Sequence, residues 1–321
     1  MKPPFKTTNK VINLVAQITE ELGKIQGTQL SSPGPKLRKQ NRIKTIQATL
    51  AIEGNTLNID QITAVLEGRK VLGPQKEIIE VQNAVQLYED IQDYKAFSLK
   101  DLLKAHKKLM ATLIKTSGKF RSTNVGVLKG SQVSHLAPKP ALVPELVDNL
   151  FKWAKSEKEL HPLIKSCIIH YELEFIHPFE DGNGRIGRFW QTLVLSKYNQ
   201  IFSYLPIESL IKDNQQKYYK TLEKCDKAGN STAFIEFILE LVLKAIQDFS
   251  KGVTSVVLDS SSRLDGAKKH FGEKLFSRKE YMIYFKNISS ATASRDLRDG
   301  VDEGILKKSG EGNLTRYCFT D

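Results

Sequence analysis

The stretch IHPFEDGNGRIGRFW, Ile176 to Trp190, constrains the fold of this chain more than any other. Before it, LIKSCIIHYELEF is long and mostly apolar and reads as a buried helix. After it, RIGRFWQTLVLSKYN reads as another. Pro178 and Asp181-Gly182 break the first helix, and Arg185 onward starts the second. Glycines in such a loop let backbone N–H groups point inward where side chains would block them. A helix start that follows the loop adds unsatisfied N–H donors and a favourable dipole, which together make an anion site.

The side chains around the loop suggest what the anion is. Arg185 and Arg188 are three apart and share one helix face, where they can clamp phosphate oxygens with forked donors. Asp181 offers a hard carboxylate oxygen suited to Mg²⁺ that also holds substrate phosphates. His177, at the loop's start, belongs to the pKa class that takes a proton near neutral pH. These parts describe transfer from a nucleotide polyphosphate to a nucleophile that His177 deprotonates. Two other readings compete. Gly182, Gly184 and Gly187 spell a dinucleotide fingerprint, but that motif needs a preceding strand, and the preceding segment reads as helix. His170, His177 and Asp181 have no usual transition-metal spacing and no cysteine joins them, so His170 reads as a helix residue with a satisfied hydrogen bond.

With 321 residues, 40% of them hydrophobic, the chain can bury a sizeable core and suggests two or three domains. The net charge of +12 attracts nucleic acid, anionic membranes or polyphosphate ligands. It is uneven: Met1 to Leu50 carry nine Lys/Arg against two Glu, Lys251 to Asp321 thirteen against ten acids. A solvated lysine-rich surface accounts for most of it. No apolar run approaches the ~20 residues that cross a bilayer, and the N-terminus lacks the pattern of a signal peptide. Cys167, Cys225 and Cys318 are far apart and odd in number, which fits a reducing compartment. The expectation is a cytoplasmic protein without membrane contact.

Along the chain, helices are expected over Val11 to Gly23, in KLRKQNRIKTIQATLAIEGN, which stops at Gly54-Asn55, and then repeatedly to Ser250. One segment differs. RSTNVGVLKGSQVSHLAPKPALVP alternates loosely around Val125, Val127 and Val133 and reads as a β-hairpin or flap. VVLDSSSRLDG, Val256 to Gly266, reads as a linker to a distinct C-terminal piece.

HPFEDGNGRIGR matches the signature H-P-F-x-[D/E]-G-N-G-R-x-x-R of the Fic family at every position. The surrounding chain, from about Glu77 to Phe249, also resembles a Fic core. The resemblance implies a mainly α fold: a helical core with a small β-hairpin flap. It implies transfer of AMP from ATP to a Tyr, Ser or Thr hydroxyl of a target protein or of the chain itself, releasing pyrophosphate. His177 is then the general base and Asp181 the Mg²⁺ ligand. Gly182, Asn183 and Gly184 form the anion hole, Arg185 binds the α/β-phosphates and Arg188 the γ-phosphate. Phe179 anchors the loop, and Glu180 falls at the variable position. Tyr218 or Tyr219 contacts the base or serves helix packing. The target segment pairs along the flap, near Val125, Val127 and Val133.

TLAIEGN, Thr49 to Asn55, resembles the inhibitory [S/T]-x-x-x-E-[G/N] motif of one Fic class, with Thr49 and Glu53 as its functional residues; the plain alternative is an exposed glutamate before a helix-ending glycine. Residues 276–320 resemble a winged helix-turn-helix, with SSATASRDLRDGV as the recognition helix and Arg295 and Arg298 on one face. Gly300 departs from that pattern, standing where an apolar residue is usual. DNA, a docking partner and a second copy of the chain are the occupants weighed for this piece. The expected organisation is an N-terminal helical region, 1–95, with an inhibitory helix at about 36–54, a catalytic core at 96–250 and a winged helix at 265–321. The expected function is an autoinhibited adenylyltransferase. Its rivals are an AMP-removing hydrolase in which Glu53 orients water, and a DNA-binding regulator with the Fic core as sensor.

Overall fold

A computed structural model describes residues 2–27, 35–129, 132–255, 260–285 and 288–320. Among them lie fourteen α-helices and two two-stranded antiparallel sheets. They form two compact units, Met1–Ser250 and Lys251–Asp321. The first holds both the N-terminal helical region and the expected 96–250 core.

In the first unit the helices are α1 (Asn9–Gly27), α2 (Pro35–Ile52), α3 (Ile59–Leu66), α4 (Gln75–Glu89), α5 (Leu99–Leu109), α6 (Val143–Ser156), α7 (Pro162–Ile176), α8 (Asn183–Tyr198), α9 (Ile207–Asp213), α10 (Gln215–Ala228) and α11 (Thr232–Ser255). The centre is the pair α7 and α8, which pack on each other. Every residue from Leu163 to Tyr171 is buried, and so is every residue from Arg185 to Ser196. A helix covered on all sides belongs in the middle of a bundle. Its polar groups then need partners indoors. Trp190 Nε1 donates to the Ala96 carbonyl at 2.7 Å, and Ser166 Oγ to the Leu163 carbonyl at 2.7 Å.

Around this pair, α2 touches α8 and packs against α4 and α9. The α9 helix, absent from the sequence reading, is a short element of about two turns held by Ile207 and Ile211, both buried. The flap is a hairpin of β1 (Gly126–Lys129) and β2 (Gln132–Leu136), with Val127 opposite His135, Leu128 opposite Val133 and an irregularity between Val127 and Leu128. Val125 precedes β1 and is half-buried; the side chains of Val127 and Val133 lie outside the described residues.

The second unit contains α12 (Ser260–Phe271), α13 (Arg278–Tyr284), α14 (Ser290–Asp302), β3 (Leu306–Ser309) and β4 (Arg316–Phe319). The expected linker is corrected from residue 260 onward; residues 256–259 lie outside the described residues. Residues 260–266 are helix, because Leu264 and Ala267 join a core with Phe276, Tyr281, Leu297, Leu306 and Phe319. Arg263 adds a buried ion pair: its guanidinium forks onto Asp296, with Nη2 donating to Oδ1 at 2.6 Å, while Tyr281 OH donates to Oδ2 at 3.2 Å. A Ser/Asp-rich stretch reads as loop until its one leucine and one arginine find these partners. The same core explains Gly300. A Cβ there would lie 2.9 Å from Leu306 Cδ1 and 3.1 Å from Leu264, so neighbouring leucines already fill the space an apolar side chain would take.

Candidate active site

The loop between α7 and α8 is shaped by two left-handed residues. His177 ends α7 at φ 50°, and Gly182 precedes α8 at φ 85°. Only glycine takes that second conformation without penalty. A Cβ at Gly182 would also sit 2.7 Å from Met110 Sδ. Asn183 closes the loop. Its Oδ1 accepts the Phe179 N–H at 2.8 Å, and its Nδ2 donates to the Phe179 carbonyl at 2.9 Å. The side chain is therefore spent on the loop, so any part Asn183 takes in an anion hole falls to its backbone N–H. The first intrahelical bond of α8 runs from Ile186 N–H to the Gly182 carbonyl at 3.0 Å. The N–H groups of Asn183, Gly184 and Arg185 thus have no acceptor within the helix, the anion-binding arrangement expected of a helix start.

Two residues that the sequence reading missed pin this loop. Arg121, 4% exposed, donates from Nε to the His177 carbonyl at 2.7 Å and from Nη2 to the Ile176 carbonyl at 3.3 Å and the Pro138 carbonyl at 2.6 Å. Its backbone N–H donates to the Pro178 carbonyl at 3.0 Å. One guanidinium thus ties the end of α7 to the chain leaving the flap. Burial pushes its pKa down, though arginine stays charged. His106, fully buried in α5, stacks on Phe179 at 3.6 Å between ring centroids. The Gly118 N–H donates to its Nδ1 at 2.9 Å, so the proton is assigned to Nε2, which donates to the Asp181 carbonyl at 2.9 Å. Burial lowers the His106 pKa to about 4, keeping it neutral. Neither residue shows a sequence signal, because each acts through backbone groups distant in the chain.

The candidate functional side chains project from this frame. His177 Nδ1 lies 3.3 Å from the Glu174 carbonyl. A carbonyl only accepts, so Nδ1 carries the hydrogen and the lone pair that takes a proton is on Nε2. Asp181 Oδ1 accepts from Arg185 Nη2 at 2.9 Å and from the Gly182 N–H at 2.6 Å. Arg185 Nη1 donates to Glu80 Oε1 of α4 at 3.2 Å, and its Nε is buried without a partner among the described residues.

Arg188, 1% exposed, donates from Nε to Thr49 Oγ1 at 2.9 Å and from Nη2 to the Thr49 carbonyl at 3.0 Å and to Glu53 Oε1 at 2.7 Å. Burial alone would lower its pKa, but the facing carboxylates, Glu53 foremost, outweigh this and raise it. Both residues singled out in TLAIEGN therefore meet the second arginine of the motif. Glu53 stands in the turn after α2, where Gly54 adopts φ 93°. Gly184 makes room for it: a Cβ there would lie 2.4 Å from Glu53 Oε1.

The two tyrosines separate. Tyr218 is buried, with its hydroxyl donating to Glu174 Oε1 at 3.1 Å and lying 3.1 Å from His170 Nε2. His170 Nδ1 meets Gln191 Oε1 at 2.5 Å, so this histidine is satisfied inside the bundle. Tyr219 is 41% exposed, with its hydroxyl 3.5 Å from the Ile52 carbonyl.

A divalent cation brought by a polyphosphate needs few protein ligands, because phosphate oxygens and water complete its shell. Asp181 suits that role. Its side chain is 47% exposed, and Oδ1 accepts from both the Gly182 N–H and Arg185, leaving Oδ2 to face a cation. Among the described residues no group of three His, Cys, Asp or Glu side chains forms a cage able to hold a metal without such a substrate.

The chain is similar to known proteins of one family. The sequence model of the Fic/DOC family matches residues 96–195. The crystal structure of a Fic family protein from Desulfovibrio desulfuricans G20 superposes with a TM-score of 0.77 at 37% identity, covering 100% of this chain and 98% of that one. The protein adenylyltransferase Fic of Culex quinquefasciatus is 27% identical over 257 residues, 74% of this chain and 49% of its own length. The protein adenylyltransferase fic-1 of Caenorhabditis elegans is 25% identical over 282 residues, 83% of this chain and 53% of its own. The chain thus spans about half the length of the curated relatives it matches.

Proposed function

This chain belongs to the Fic family, and on that premise we propose that it transfers AMP from ATP to a hydroxyl of a protein, under restraint by Glu53. The observation that carries the reading is the convergence, within one loop and helix start, of a histidine with its lone pair on Nε2, one outward carboxylate, two buried arginines and three N–H groups lacking helical acceptors. The names of the curated relatives, protein adenylyltransferase Fic and fic-1, support the nucleotide and the reaction.

In this reading the amides of Asn183 and Gly184 and the guanidinium of Arg185 hold the α- and β-phosphates, and Arg188 the γ-phosphate. Asp181 holds Mg²⁺, which neutralises charge on the phosphates when bound. His177 Nε2 takes the proton of the target hydroxyl. The hydroxyl oxygen bonds to the α-phosphorus, the bond from that phosphorus to the β-phosphate oxygen breaks, and pyrophosphate leaves. The flap hairpin lays the target segment beside the site by strand pairing. Of the tyrosines, Tyr219 remains available to a nucleotide base, and Tyr218 serves packing.

Glu53 supports the restraint. It occupies the guanidinium assigned to the γ-phosphate and adds a negative charge where another anion must enter. The C-terminal unit is assigned as a winged-helix docking module. Its three helices and hairpin, joined by a bridge between Phe276 and Tyr317, support the fold. Arg295 and Arg298 are exposed, but Asp299 and Asp302 share their helix face and offset the charge a duplex would need. Gel shifts at several salt concentrations test this: salt-dependent duplex binding that Arg295→Ala weakens would replace docking with DNA recognition. For the enzyme, incubation with Mg²⁺ and ATP followed by intact-mass measurement is the direct test. One AMP added to this chain or to an offered target supports transfer, and His177→Ala should abolish it while ATP still binds. Labelling by the mutant at the parent's rate removes His177 as the base.

A further inference from the structure

Glu80 has no place in the chemistry above, yet it sits at its junction. This α4 residue is 9% exposed, and both of its carboxylate oxygens are engaged. Oε1 accepts from Arg185 Nη1 at 3.2 Å, and Oε2 accepts from Asn55 Nδ2 at 2.9 Å. Asn55 directly follows the Glu53-Gly54 turn. Its Nδ2 also lies 3.2 Å from the Glu77 carbonyl, and its Oδ1 accepts the Leu57 N–H at 3.1 Å. A buried carboxylate is costly unless paired and hydrogen-bonded, so its two partners are tightly specified.

We propose that Glu80 is a positioning residue for nucleotide binding: it holds Arg185 in the phosphate site and links that placement to the turn bearing Glu53. The inference rests on the proposed adenylyl transfer. Its logic lies in how Arg185 is shared. The guanidinium is a planar fork, so two anchored nitrogens define its plane. Nη2 is anchored by Asp181, the residue assigned to the cation, and Nη1 by Glu80. A cation on Asp181 Oδ2 draws charge from the carboxylate, so the Oδ1 anchor on Nη2 weakens without being displaced. Glu80 is then the one that keeps Arg185 in place, with its buried Nε–H still to be satisfied. Glu80 also restrains the Glu53 turn through Asn55, so its loss frees both ends at once.

The test uses the full chain in a Glu53→Gly background, where the restraint on Arg188 is gone and only the Arg185 effect remains. Glu80→Gln keeps the shape and removes the charge. The expected result at saturating Mg²⁺ is a KM for ATP raised about tenfold, the scale of one misplaced charge-assisted hydrogen bond, with kcat changed far less. Calorimetric ATP affinity should fall in parallel. Adding Glu80→Gln to Arg185→Ala should cost nothing more, because the residue it positions is gone. With Glu53 intact, Glu80→Gln should raise labelling at saturating ATP, because the turn loosens. Should Glu80→Gln not fold, Glu80→Asp, which keeps the charge one methylene further back, should give a smaller rise in KM at the parent's thermal stability. An unchanged KM with a lowered melting temperature would reduce Glu80 to a strap between α4 and α8, and additive losses with Arg185→Ala would do the same. If the Glu53→Gly parent labels nothing, adenylyl transfer itself fails, while ATP affinity still reports on Glu80.

Discussion

Glu53 and Arg188 set the sharpest test at the scale of single residues. Their contact at 2.7 Å joins a guanidinium 1% exposed to a carboxylate 32% exposed. A hydrogen bond to a charged group is worth about 1.5–3 kcal/mol, or roughly 10–100-fold in a rate that requires it to break. Glu53→Gly should therefore raise AMP labelling by about that factor. Arg188→Ala should not, because it removes the phosphate anchor together with the restraint, and the double mutant should behave like Arg188→Ala. Quantitative labelling with ATP decides it: no gain from Glu53→Gly in a folded protein ends the inhibitory reading, and loss of an AMP-removing activity would make the reverse reaction the main one. At this scale the sequence named most of the residues that the structure gathers at the loop and around Arg188. The twelve-residue motif placed His177, Asp181, Arg185 and Arg188, and TLAIEGN placed Thr49 and Glu53. It missed Arg121, His106 and Glu80, and it left Tyr218 and Tyr219 unresolved, since burial is what separates them.

The element that matters most is the loop between α7 and α8, and its stability is open to measurement. Gly182 stands at φ 85° with Met110 Sδ against its missing Cβ. Gly182→Ala should cost about 1–3 kcal/mol, from left-handed backbone and the clash together, and calorimetric or denaturant unfolding should register it. His106 gives the loop a pH dependence. Its pKa is lowered from 6.5 to about 4 by burial. Below about pH 6.5 the unfolded chain binds a proton there that the native protein refuses. Stability from this residue is therefore fully present above pH 6.5 and lost as pH falls toward 4, by up to about 3 kcal/mol. Denaturant unfolding between pH 6.5 and 5 should show a shallower slope in His106→Gln than in the parent; equal slopes would mean another group carries the effect.

Across the whole molecule, the chain forms two compact units. Every residue assigned to catalysis lies in Met1–Ser250, and none lies in Lys251–Asp321. A chain ending after residue 255, the end of α11, should retain ATP binding and, with Glu53→Gly, AMP transfer within about twofold, the range of changes far from a site. A truncated protein that binds ATP but cannot transfer would place a catalytic contribution in the C-terminal unit. No helix among the described residues is long and apolar enough to cross a membrane.

The sequence by itself determined the local pieces: helices from apolar periodicity, a loop from Pro178 and Gly182, a hairpin from the alternation around Val125, and a set of chemical groups close enough in the chain to act together. Those signals are legible because they arise between neighbours. The tertiary structure decided whatever depends on distant partners. It made residues 260–266 helix, because Leu264 and Arg263 found Leu306 and Asp296. It made Gly300 a close contact instead of a gap. It brought Glu53 and Glu80, more than a hundred residues upstream, onto the two arginines of the motif. A buried charge is satisfied only where another chain segment delivers its counter-charge, and that pairing exists only once the helices have packed.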